Sequence, residues 1–329
     1  MTAAVAVDLG KTGCRAALWA DGTGRAGTAE EVPGAPGLAA ENGVALARAA
    51  VRAAVLPLLE RKPSLRPATV CVGAAGAATA PEAARALAVR LLEDLPVNEV
   101  AVTSDAITAH AGALGGRTGV VLAIGTGSVA VGIGGDGSYA RVDGWGPWIG
   151  DEGGGAWIGA AGLRAALRAH DGRGADTALL AAAVERFGAA DRLPSAISWD
   201  GNQARTIAAF APDVARAAAA GDATASAILR DAAGALAETV LAATRRTDGD
   251  AVTVTGGLTG LGEPLLGPLR SALADSPRPL RFQAPLGDPL DGAGLLALDA
   301  SAPHEPHVAR VRRATPLVPT LPSTPSAAV

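Results

Sequence analysis

The feature of this sequence that most constrains its fold is an order of elements that occurs twice. Each occurrence opens with three short apolar runs joined by glycine-containing turns and continues with alternating helical and strand-like runs. Glycine readily adopts the positive φ that tight hairpins require, so each opening predicts an antiparallel meander of three strands. Internal duplication of this kind constrains the whole architecture more than any single motif does.

The first copy occupies residues 1–116 and the second occupies residues 117–302. Helical spacing of apolar residues and short β-branched runs distinguish helices from strands in both copies. The elements predicted in the first copy are strands at Ala3–Leu9, Cys14–Ala20, Arg25–Val32, Thr69–Gly73 and Glu99–Thr103, and helices at Gly43–Arg61, at Pro81–Glu93 and directly after Asp105. Those predicted in the second copy are strands at Gly119–Ile124, Val129–Gly134, Tyr139–Val142, Ala251–Thr255 and Leu280–Gln283, and helices at Glu263–Leu273 and Asp291–Leu298.

This order predicts an α/β protein of two duplicated, actin-like (ribonuclease H-like) βββαβαβα domains that face a central cleft. Actin, hexokinase and Hsp70 share that architecture. An Ala-rich helical insertion over about residues 160–250 elaborates the second domain. Residues 303–329 contain repeated Pro, Ser and Thr and are predicted to form a partly disordered tail, in which His304 and His307 would be solvated.

Composition argues against several classes of function. The chain has 329 residues, a net charge of −4 and only 3 % aromatic residues, so it lacks the basic stripe and the stacking platform of a nucleic-acid-binding protein. No apolar run is long enough to span a membrane, and the N-terminus lacks a secretory signal. The two cysteines, Cys14 and Cys71, lie in apolar runs and are expected to be buried free thiols. These features favour a soluble, cytoplasmic protein.

Two glycine turns at equivalent positions of the two copies are candidate phosphate-binding sites. In the first, Asp8–Gly13 (DLGKTG), backbone N–H groups can approach a phosphate and Thr12 adds a hydroxyl donor. Asp8, at the strand end, is positioned to hold a water ligand of Mg²⁺. The second turn, Gly125–Ser128 (GTGS), could bind either a phosphate or a sugar hydroxyl. Each turn alone is compatible with an ordinary hairpin, and it is their equivalent placement in a repeat that favours nucleotide binding.

Asp105 follows the apolar strand VAVTS and precedes a short helix. A carboxylate at this position could simply cap the helix. It could instead act as a general base that accepts the proton of a substrate hydroxyl. Ser104 could cap the helix equally well, which favours the catalytic interpretation of Asp105.

The most unusual stretch is Asp143–Gly155 (DGWGPWIGDEGGG), which combines two tryptophans, three acidic residues and many glycines. The acids could start a helix, and Trp145 and Trp148 could fill gaps in the core. A sugar site explains the mixture better, because carboxylates accept hydrogen bonds from hydroxyls and glycines permit close backbone approach.

Three segments, SDAITAHAGAL, GVVLAIGTGS and DGWGPWIGDEGGGAWIG, together resemble the N-acetylglucosamine kinases of the BadF/BadG/BcrA/BcrD ATPase family. The resemblance is specific over about Val100–Gly159 and is supported at Asp8–Gly13, Val252–Leu258 and Leu290–Leu298. The roles that it implies are Asp105 as the catalytic base; Thr126, Gly127, Gly144 and Asp151 at the sugar; Gly10, Lys11 and Thr12 at the ATP phosphates; and Gly256 and Gly257 at the adenosine.

The resemblance also has departures. An Asn in a loop of the first half binds the sugar in these kinases, and Asn42 resembles it, although its spacing from Gly37 differs by one residue. Leu9 and Lys11 stand where the family usually has glycines. Lys11 could either contact a phosphate or face solvent.

The resemblance implies an ATP- and Mg²⁺-dependent kinase that phosphorylates a hydroxyl, the 6-OH, of an amino sugar such as N-acetylglucosamine. The expected partner is this small-molecule sugar, and no nucleic acid or membrane is expected to bind. Whether the protein forms a homodimer is left open. Two alternatives also stay open. One is an ATPase activator of a 2-hydroxyacyl-CoA dehydratase or reductase, which would hold an iron–sulfur cluster between subunits. The other is a non-catalytic sugar-sensing protein.

Overall fold

The computed structural model describes residues 3–20, 22, 24–62, 65–198 and 202–315. The chain divides into two compact units. Unit 1 consists of the residues up to Gly115 together with those from Gly287 onward, and unit 2 is the continuous segment Gly116–Leu286. Each unit is built on one β-sheet.

The elements follow one another in chain order through the described residues. The N-terminal part of unit 1 forms β1 Ala3–Leu9, β2 Gly13–Ala20, β3 Gly24–Arg25, β4 Glu30–Pro33, α1 Gly43–Arg61, β5 Thr69–Ala74, α2 Pro81–Asp94, β6 Glu99–Ser104 and α3 Asp105–Leu114. Unit 2 forms β7 Gly119–Ile124, β8 Ser128–Ile133, β9 Tyr139–Asp143, α4 Gly155–His170, α5 Ala178–Phe187, α6 Leu193–Ser198, α7 Gln203–Ala208, α8 Ala211–Ala219, α9 Ala223–Thr247, β10 Ala251–Thr255, α10 Glu263–Ala274 and β11 Arg281–Phe282. The C-terminal part of unit 1 forms α11 Pro289–Leu298 and β12 Ala309–Arg312.

The sheet of unit 1 has the strand order β12-β6-β5-β1-β2-β3, and β4 also pairs with β2. β1, β5 and β6 run parallel, whereas β2 is antiparallel to β1 and β12 is antiparallel to β6. Alternate residues of β1 and β2 face a core that they share with α1 and α2. The helices α3 and α11 cover the strands from the opposite face. Both faces of β1 are therefore buried, as expected for the central strand of a parallel region.

The sheet of unit 2 has the strand order β11-β10-β7-β8-β9. The alternating residues Val120, Leu122 and Ile124 of β7 enter a core that they share with α4, α9 and α10. The 25-residue helix α9 lies against β7, β8 and β9. α5 and α8 pack further out, around the buried Phe210.

The strand order confirms the predicted α/β fold class. In both sheets the first strand of the meander is central, the second strand and then the third follow on one side, and the fourth and fifth follow on the other. This shared order is consistent with duplication of one structural unit. Among the described helices, none is both long and apolar enough to cross a bilayer.

The boundary of the second domain differs from the prediction. The last helix, α11, was expected within residues 117–302 but belongs to unit 1, where it packs against α3 and β1. Gly292 of α11 lies against the backbone of Thr108, and Gly112 of α3 lies against the backbone of Asp288. These small residues let the two helices approach closely, and chain order alone does not reveal such a pairing.

The prediction of a tail from residue 303 is wrong over its first part. β12 pairs with β6, and Arg310 of β12 binds Glu99 at 2.6 Å and Glu305 at 2.7 Å. His304 is fully buried rather than solvated. An edge strand with unpaired backbone groups provides a template for another strand, and β12 fills that place beside β6. The rest of the predicted tail, residues 316–329, lies outside the described residues.

The third predicted strand, Arg25–Val32, is divided into β3 and β4. Gly27 lies between them with a φ of 97°, a backbone conformation that interrupts a strand. The turn predicted before it includes positions 21 and 23, which lie outside the described residues.

Candidate active site

Two of the acidic residues singled out in the sequence lie at the same ends of the strands in the unit 1 sheet. Strand register aligns Leu9 of β1 with Ala74 of β5 and Ser104 of β6. Asp8 therefore lies one residue before this row and Asp105 one residue after it. This row lies at the carboxyl ends of the three parallel strands β1, β5 and β6, where open α/β sheets bind their ligands.

Asp105 does not cap α3, because Ser104 is the N-cap residue. The Ile107 N–H donates to Ser104 Oγ at 3.3 Å. Asp105 is the first residue of the helix, and its Oδ1 accepts the Ala106 N–H at 2.9 Å. Its Oδ2 accepts no hydrogen bond from any residue that the structure describes. The carboxylate therefore has an oxygen available for a ligand.

The pKa of Asp105 is raised above its ordinary value. The residue as a whole is exposed, yet protein atoms packed around its carboxyl remove part of its hydration, which is the main cause of the increase. The negative charge of Asp8 raises the pKa further, and the positive charge of Lys11 opposes it. A carboxylate with a raised pKa is a stronger base. The structure thus couples Asp8, Lys11 and Asp105 electrostatically.

Asp8 is held by an ion pair that was not predicted. Arg15 is its cross-strand partner in the β1–β2 hairpin, and the guanidinium donates to Asp8 Oδ2 at 2.7 Å. This hydrogen bond is the main cause of the raised pKa of Arg15. The pair could have been identified by counting outward from the turn, which opposes Leu9 to Cys14 and Asp8 to Arg15.

The surroundings of Asp8 bear on whether it can hold Mg²⁺. In the described part of the chain no three His, Cys, Asp or Glu side chains form a metal site. Asp8 Oδ1 accepts no hydrogen bond from a described residue, so one carboxylate oxygen is available. Mg²⁺ in phosphoryl-transfer sites keeps several waters and is held by one or two carboxylates together with substrate phosphates. The single free oxygen of Asp8 fits that pattern.

The first glycine turn joins β1 to β2 and is fixed by backbone hydrogen bonds. Gly10 N–H donates to the Gly13 carbonyl at 2.9 Å, and Ala35 N–H donates to the Gly10 carbonyl at 3.2 Å. Lys11 and Thr12 are exposed at its tip. Their side chains are accessible to a phosphate.

Asn42 lies in the loop that leads into α1. This loop is anchored at the end of β5, where the Leu38 N–H donates to the Ala75 carbonyl at 2.9 Å. Asn42 is the N-cap residue of α1 but its side chain makes no capping hydrogen bond, and it is exposed in the left-handed backbone region. The anchoring places this loop at the same carboxyl ends of the strands as Asp8 and Asp105.

The second glycine turn, in unit 2, joins β7 to β8 and also receives the start of α4. The Gly155 N–H donates to the Gly125 carbonyl and the Ala156 N–H donates to the Thr126 carbonyl, both at 2.8 Å. The first N–H groups of a helix have no partner within the helix. The turn supplies these partners and is itself fixed by them.

Asp143 organises the loop between β9 and α4. Its Oδ1 accepts the Asp151 N–H and its Oδ2 accepts the Glu152 N–H, both at 2.8 Å. The Ser128 hydroxyl donates to the Glu152 carbonyl at 2.7 Å. Asp143 itself has a φ of 61°. The sequence singled out this segment, but it gave no signal that Asp143 closes the loop upon itself.

Asp151 lies next to the second glycine turn. Its Oδ1 accepts the Gly146 N–H at 3.2 Å, and its carboxylate occupies the space that a Cβ on Gly127 would need. Gly144, with a φ of 75°, has its carbonyl bound by the Arg141 guanidinium. The structure therefore brings the turn, Gly144 and Asp151 together in unit 2.

Gly256 lies against the end of β7. A Cβ on this residue would collide with the carbonyl of Ile124, and its φ of 98° suits glycine. Gly257 begins a short 3₁₀ helix, Gly257–Leu261. The turn predicted to meet the adenosine is thus adjacent to the turn that begins at Gly125.

Comparison with known proteins relates the chain to one family. The sequence model of the BadF/BadG/BcrA/BcrD ATPase family matches residues 5–274. A solved structure from Chromobacterium violaceum, provisionally named N-acetylglucosamine kinase, shares 29 % identity with a TM-score of 0.64, covering 91 % of this chain and 99 % of that one. No curated protein matches the sequence.

More distant structures share the fold. A Porphyromonas gingivalis protein, also provisionally named N-acetylglucosamine kinase, has 21 % identity and a TM-score of 0.63 over 89 % of this chain and 97 % of that chain. A ROK-family glucokinase from Streptomyces griseus, solved with glucose and AMPPNP, has 18 % identity and a TM-score of 0.52 over 90 % and 99 %.

Proposed function

We propose that this chain, which belongs to the BadF/BadG/BcrA/BcrD ATPase family, is an ATP-dependent kinase that phosphorylates the 6-OH of an amino sugar such as N-acetylglucosamine. The observation that supports this most directly is the state of Asp105. Its carboxylate is released from helix capping by Ser104, has a free oxygen and has a raised pKa. The similarity to proteins provisionally named N-acetylglucosamine kinases supports the substrate class.

In the proposed reaction the sugar hydroxyl oxygen attacks the γ-phosphorus of ATP. Asp105 accepts the hydroxyl proton, a new O–P bond forms, and the bond between the γ-phosphorus and the β,γ-bridging oxygen breaks to release ADP. Such transfers depend mainly on positioning and charge stabilisation. The tip of the first glycine turn would meet the phosphates in unit 1: Thr12 offers its hydroxyl and Lys11 its charge, and Gly10, whose own N–H is bound to the Gly13 carbonyl, lets the backbone approach.

Mg²⁺ would neutralise charge on the phosphates when it is bound. The free oxygen of Asp8 would hold it through a water ligand, while Arg15 fixes the orientation of the other oxygen. This assignment requires only one carboxylate from the protein, and Mg²⁺ in nucleotide sites is usually held by one or two carboxylates together with phosphates.

Unit 2 would contribute the remaining sugar contacts. Thr126, Gly127, Gly144 and Asp151 lie close together there, and we assign them to the sugar hydroxyls and the substituent at carbon 2. Asn42 of unit 1 is assigned to a sugar hydroxyl, because its amide is exposed and unused by its helix. Gly256 and Gly257 are assigned to the adenosine.

The test is a coupled assay of ADP release with Mg²⁺ and ATP. It compares glucosamine, N-acetylglucosamine, N-acetylmannosamine and N-acetylmuramic acid. Release that depends on at least one of these sugars, with a 6-phosphate as the product, is the expected result. ATP hydrolysis that is unaffected by every sugar would overturn the proposal, and sugar binding without turnover would favour a sensing role instead.

The iron–sulfur alternative is disfavoured by the state of the two cysteines. Burial raises the pKa of both Cys14 and Cys71 to about 12, whereas cluster ligands are exposed to the metal as thiolates. Cys14 lies in the core that β2 shares with α1 and α2. Cys71 lies in β5 opposite Ala6 and Ala101, on the other face of the sheet.

A further inference from the structure

A pocket of about 410 Å³ lies in unit 2, next to the loop that carries Asp151. Its walls are the loop segment after β9, the first three turns of α4 and one side of α7. Trp148 and Trp157 contribute aromatic surface, and Glu152 and Arg164 contribute charges of opposite sign. None of the roles proposed above uses this pocket.

The pocket walls are fixed by their own contacts. Trp157 and Arg164 lie seven residues apart on α4, so both face the same side of the helix. Gly159 of the same helix meets the backbone of Ile207 in α7, where a Cβ would not fit. The loop wall is held by the hydrogen bonds from Asp151 N–H and Glu152 N–H to Asp143. A pocket with walls of this kind is formed before any ligand arrives.

The charges in the pocket have no partners within the described part of the chain. The guanidinium of Arg164 forms no ion pair or hydrogen bond there, and neither does the carboxylate of Glu152. Trp148, at the rim, is 71 % exposed. An arginine beside aromatic surface is suited to bind a carboxylate in a bidentate manner while apolar parts of the ligand pack on the rings.

The location of the pocket relates it to the proposed sugar site. Gly150 and Glu152, the neighbours of Asp151 on both sides, line the pocket. A sugar held at Asp151 would therefore have the pocket beside it. The volume corresponds to on the order of a dozen water molecules, which is far more than an acetyl group fills.

We propose that this pocket receives a carboxylate-bearing alkyl arm on the acceptor sugar, and that Arg164 binds the carboxylate. The proposal rests on the proposed function, since it assumes a sugar at Asp151. Arg164 lies two helical turns beyond Trp157 on α4, at the end of the pocket away from the loop. Glu152 repels an anion at the near end of the pocket. The pocket therefore selects arms that carry their charge at the far end.

The experiment compares N-acetylglucosamine with N-acetylmuramic acid, which is the same sugar with a lactyl ether, and with the methyl ester of that ether. Arg164→Gln is compared with Arg230→Gln, a matched change on the exposed side of α9 in the same unit. We expect Arg164→Gln to lower kcat/KM for the lactyl ether by about 10- to 100-fold, the range of a charge-assisted hydrogen bond. The same variant should change kcat/KM for N-acetylglucosamine less than about threefold, and Arg230→Gln should change neither.

Three results would overturn the pocket assignment. The first is an equal effect of Arg164→Gln on kcat/KM for the two sugars. The second is an equal kcat/KM of the unmodified protein for the lactyl ether and its methyl ester. The third is that the unmodified protein does not accept the lactyl ether at all. Calorimetric binding of the ether without ATP separates this proposal from the kinase assignment. Binding that Arg164→Gln weakens at least tenfold supports the pocket even if no sugar is phosphorylated, and binding that is unchanged refutes it.

Discussion

Asp8 and Arg15 face each other across the β1–β2 ladder, and the Arg15 guanidinium donates to Asp8 Oδ2 at 2.7 Å. Arg15 also lies 3.5 Å from Asp288 at the start of α11. The charge of Asp8 contributes to the raised pKa of Asp105. A change at Arg15 is therefore expected to reach the proposed base through the charge of Asp8.

Replacing Arg15 should change the pH dependence of turnover. In Arg15→Gln the negative charge of Asp8 is no longer compensated, so the pKa of Asp105 should rise further. Asp105 must be deprotonated to accept a proton, and the acidic limb of the kcat/KM profile should move to higher pH. The profile is measured with the best amino sugar from the ADP-release assay. Arg61→Gln, which removes an exposed ion pair with Glu30, is the control, and an acidic limb that does not move in Arg15→Gln would contradict the coupling.

Asp105→Asn should separate catalysis from folding. Loss of a general base costs about 10²- to 10⁴-fold in kcat. Because Ser104 caps α3, the free energy of unfolding should change by less than about 1 kcal/mol. Ser104→Ala is the matched change, and it should lower the free energy of unfolding by about 1 kcal/mol. Urea denaturation and steady-state kinetics measure the two effects, and near-normal kcat in Asp105→Asn would refute the role of Asp105.

Gly127→Ala should disrupt the loop around Asp151. The added methyl group would occupy the position of the Asp151 carboxylate, and the loop would have to move. Overpacking of this kind costs about 1–3 kcal/mol. At Gly125 a Cβ meets nothing within 4 Å, so Gly125→Ala should cost much less in the same urea titration. Equal destabilisation by the two substitutions would show that the contact is unimportant.

The pH dependence of stability should report on His304. Burial, together with the nearby charges of His110 and His307, lowers the pKa of His304 to about 3. In the unfolded chain the pKa is about 6.5, so between these values the unfolded state binds more protons. Stability should then fall on acidification below about pH 6.5, by up to about 1.4 kcal/mol per pH unit from this group.

The control for His304 is a comparison of slopes rather than of absolute stabilities. His304→Gln removes the titrating group from the core and should flatten the acid limb of a plot of unfolding free energy against pH. His170→Gln, at an exposed position, should leave that limb unchanged. An identical slope in the His304 variant would mean that other groups cause the acid sensitivity.

Much of the fold follows from local features of the sequence. Glycine turns and the period-2 and helical patterns indicate the individual elements and the hairpin pairs, and the repeated order of elements indicates two sheets of the same kind. The capping of α3 by Ser104 is equally local. The turns, the cap and the periodic patterns need only the residues within one turn, one helix or one hairpin, which is why the sequence could indicate them.

The remaining features depend on contacts between distant parts of the chain. α11 docks on α3 through glycines 180 residues apart, Gly112 and Gly292. Arg310 finds Glu99 across the β6–β12 pair. The loop that Asp143 closes depends on a positive φ at a non-glycine residue. Neither composition nor periodicity encodes such contacts, because each is decided by packing after the elements have formed.

The pairing of β12 with β6 has a consequence for the order in which this protein is made. Unit 2 is one continuous stretch of chain, so its residues are synthesised in one uninterrupted run. Unit 1 needs α11 and β12, which are synthesised after unit 2 is complete. The unit 1 sheet, beside which Asp105 lies, is therefore complete only after β12 has been synthesised. A chain that stops after residue 286 lacks both α11 and β12.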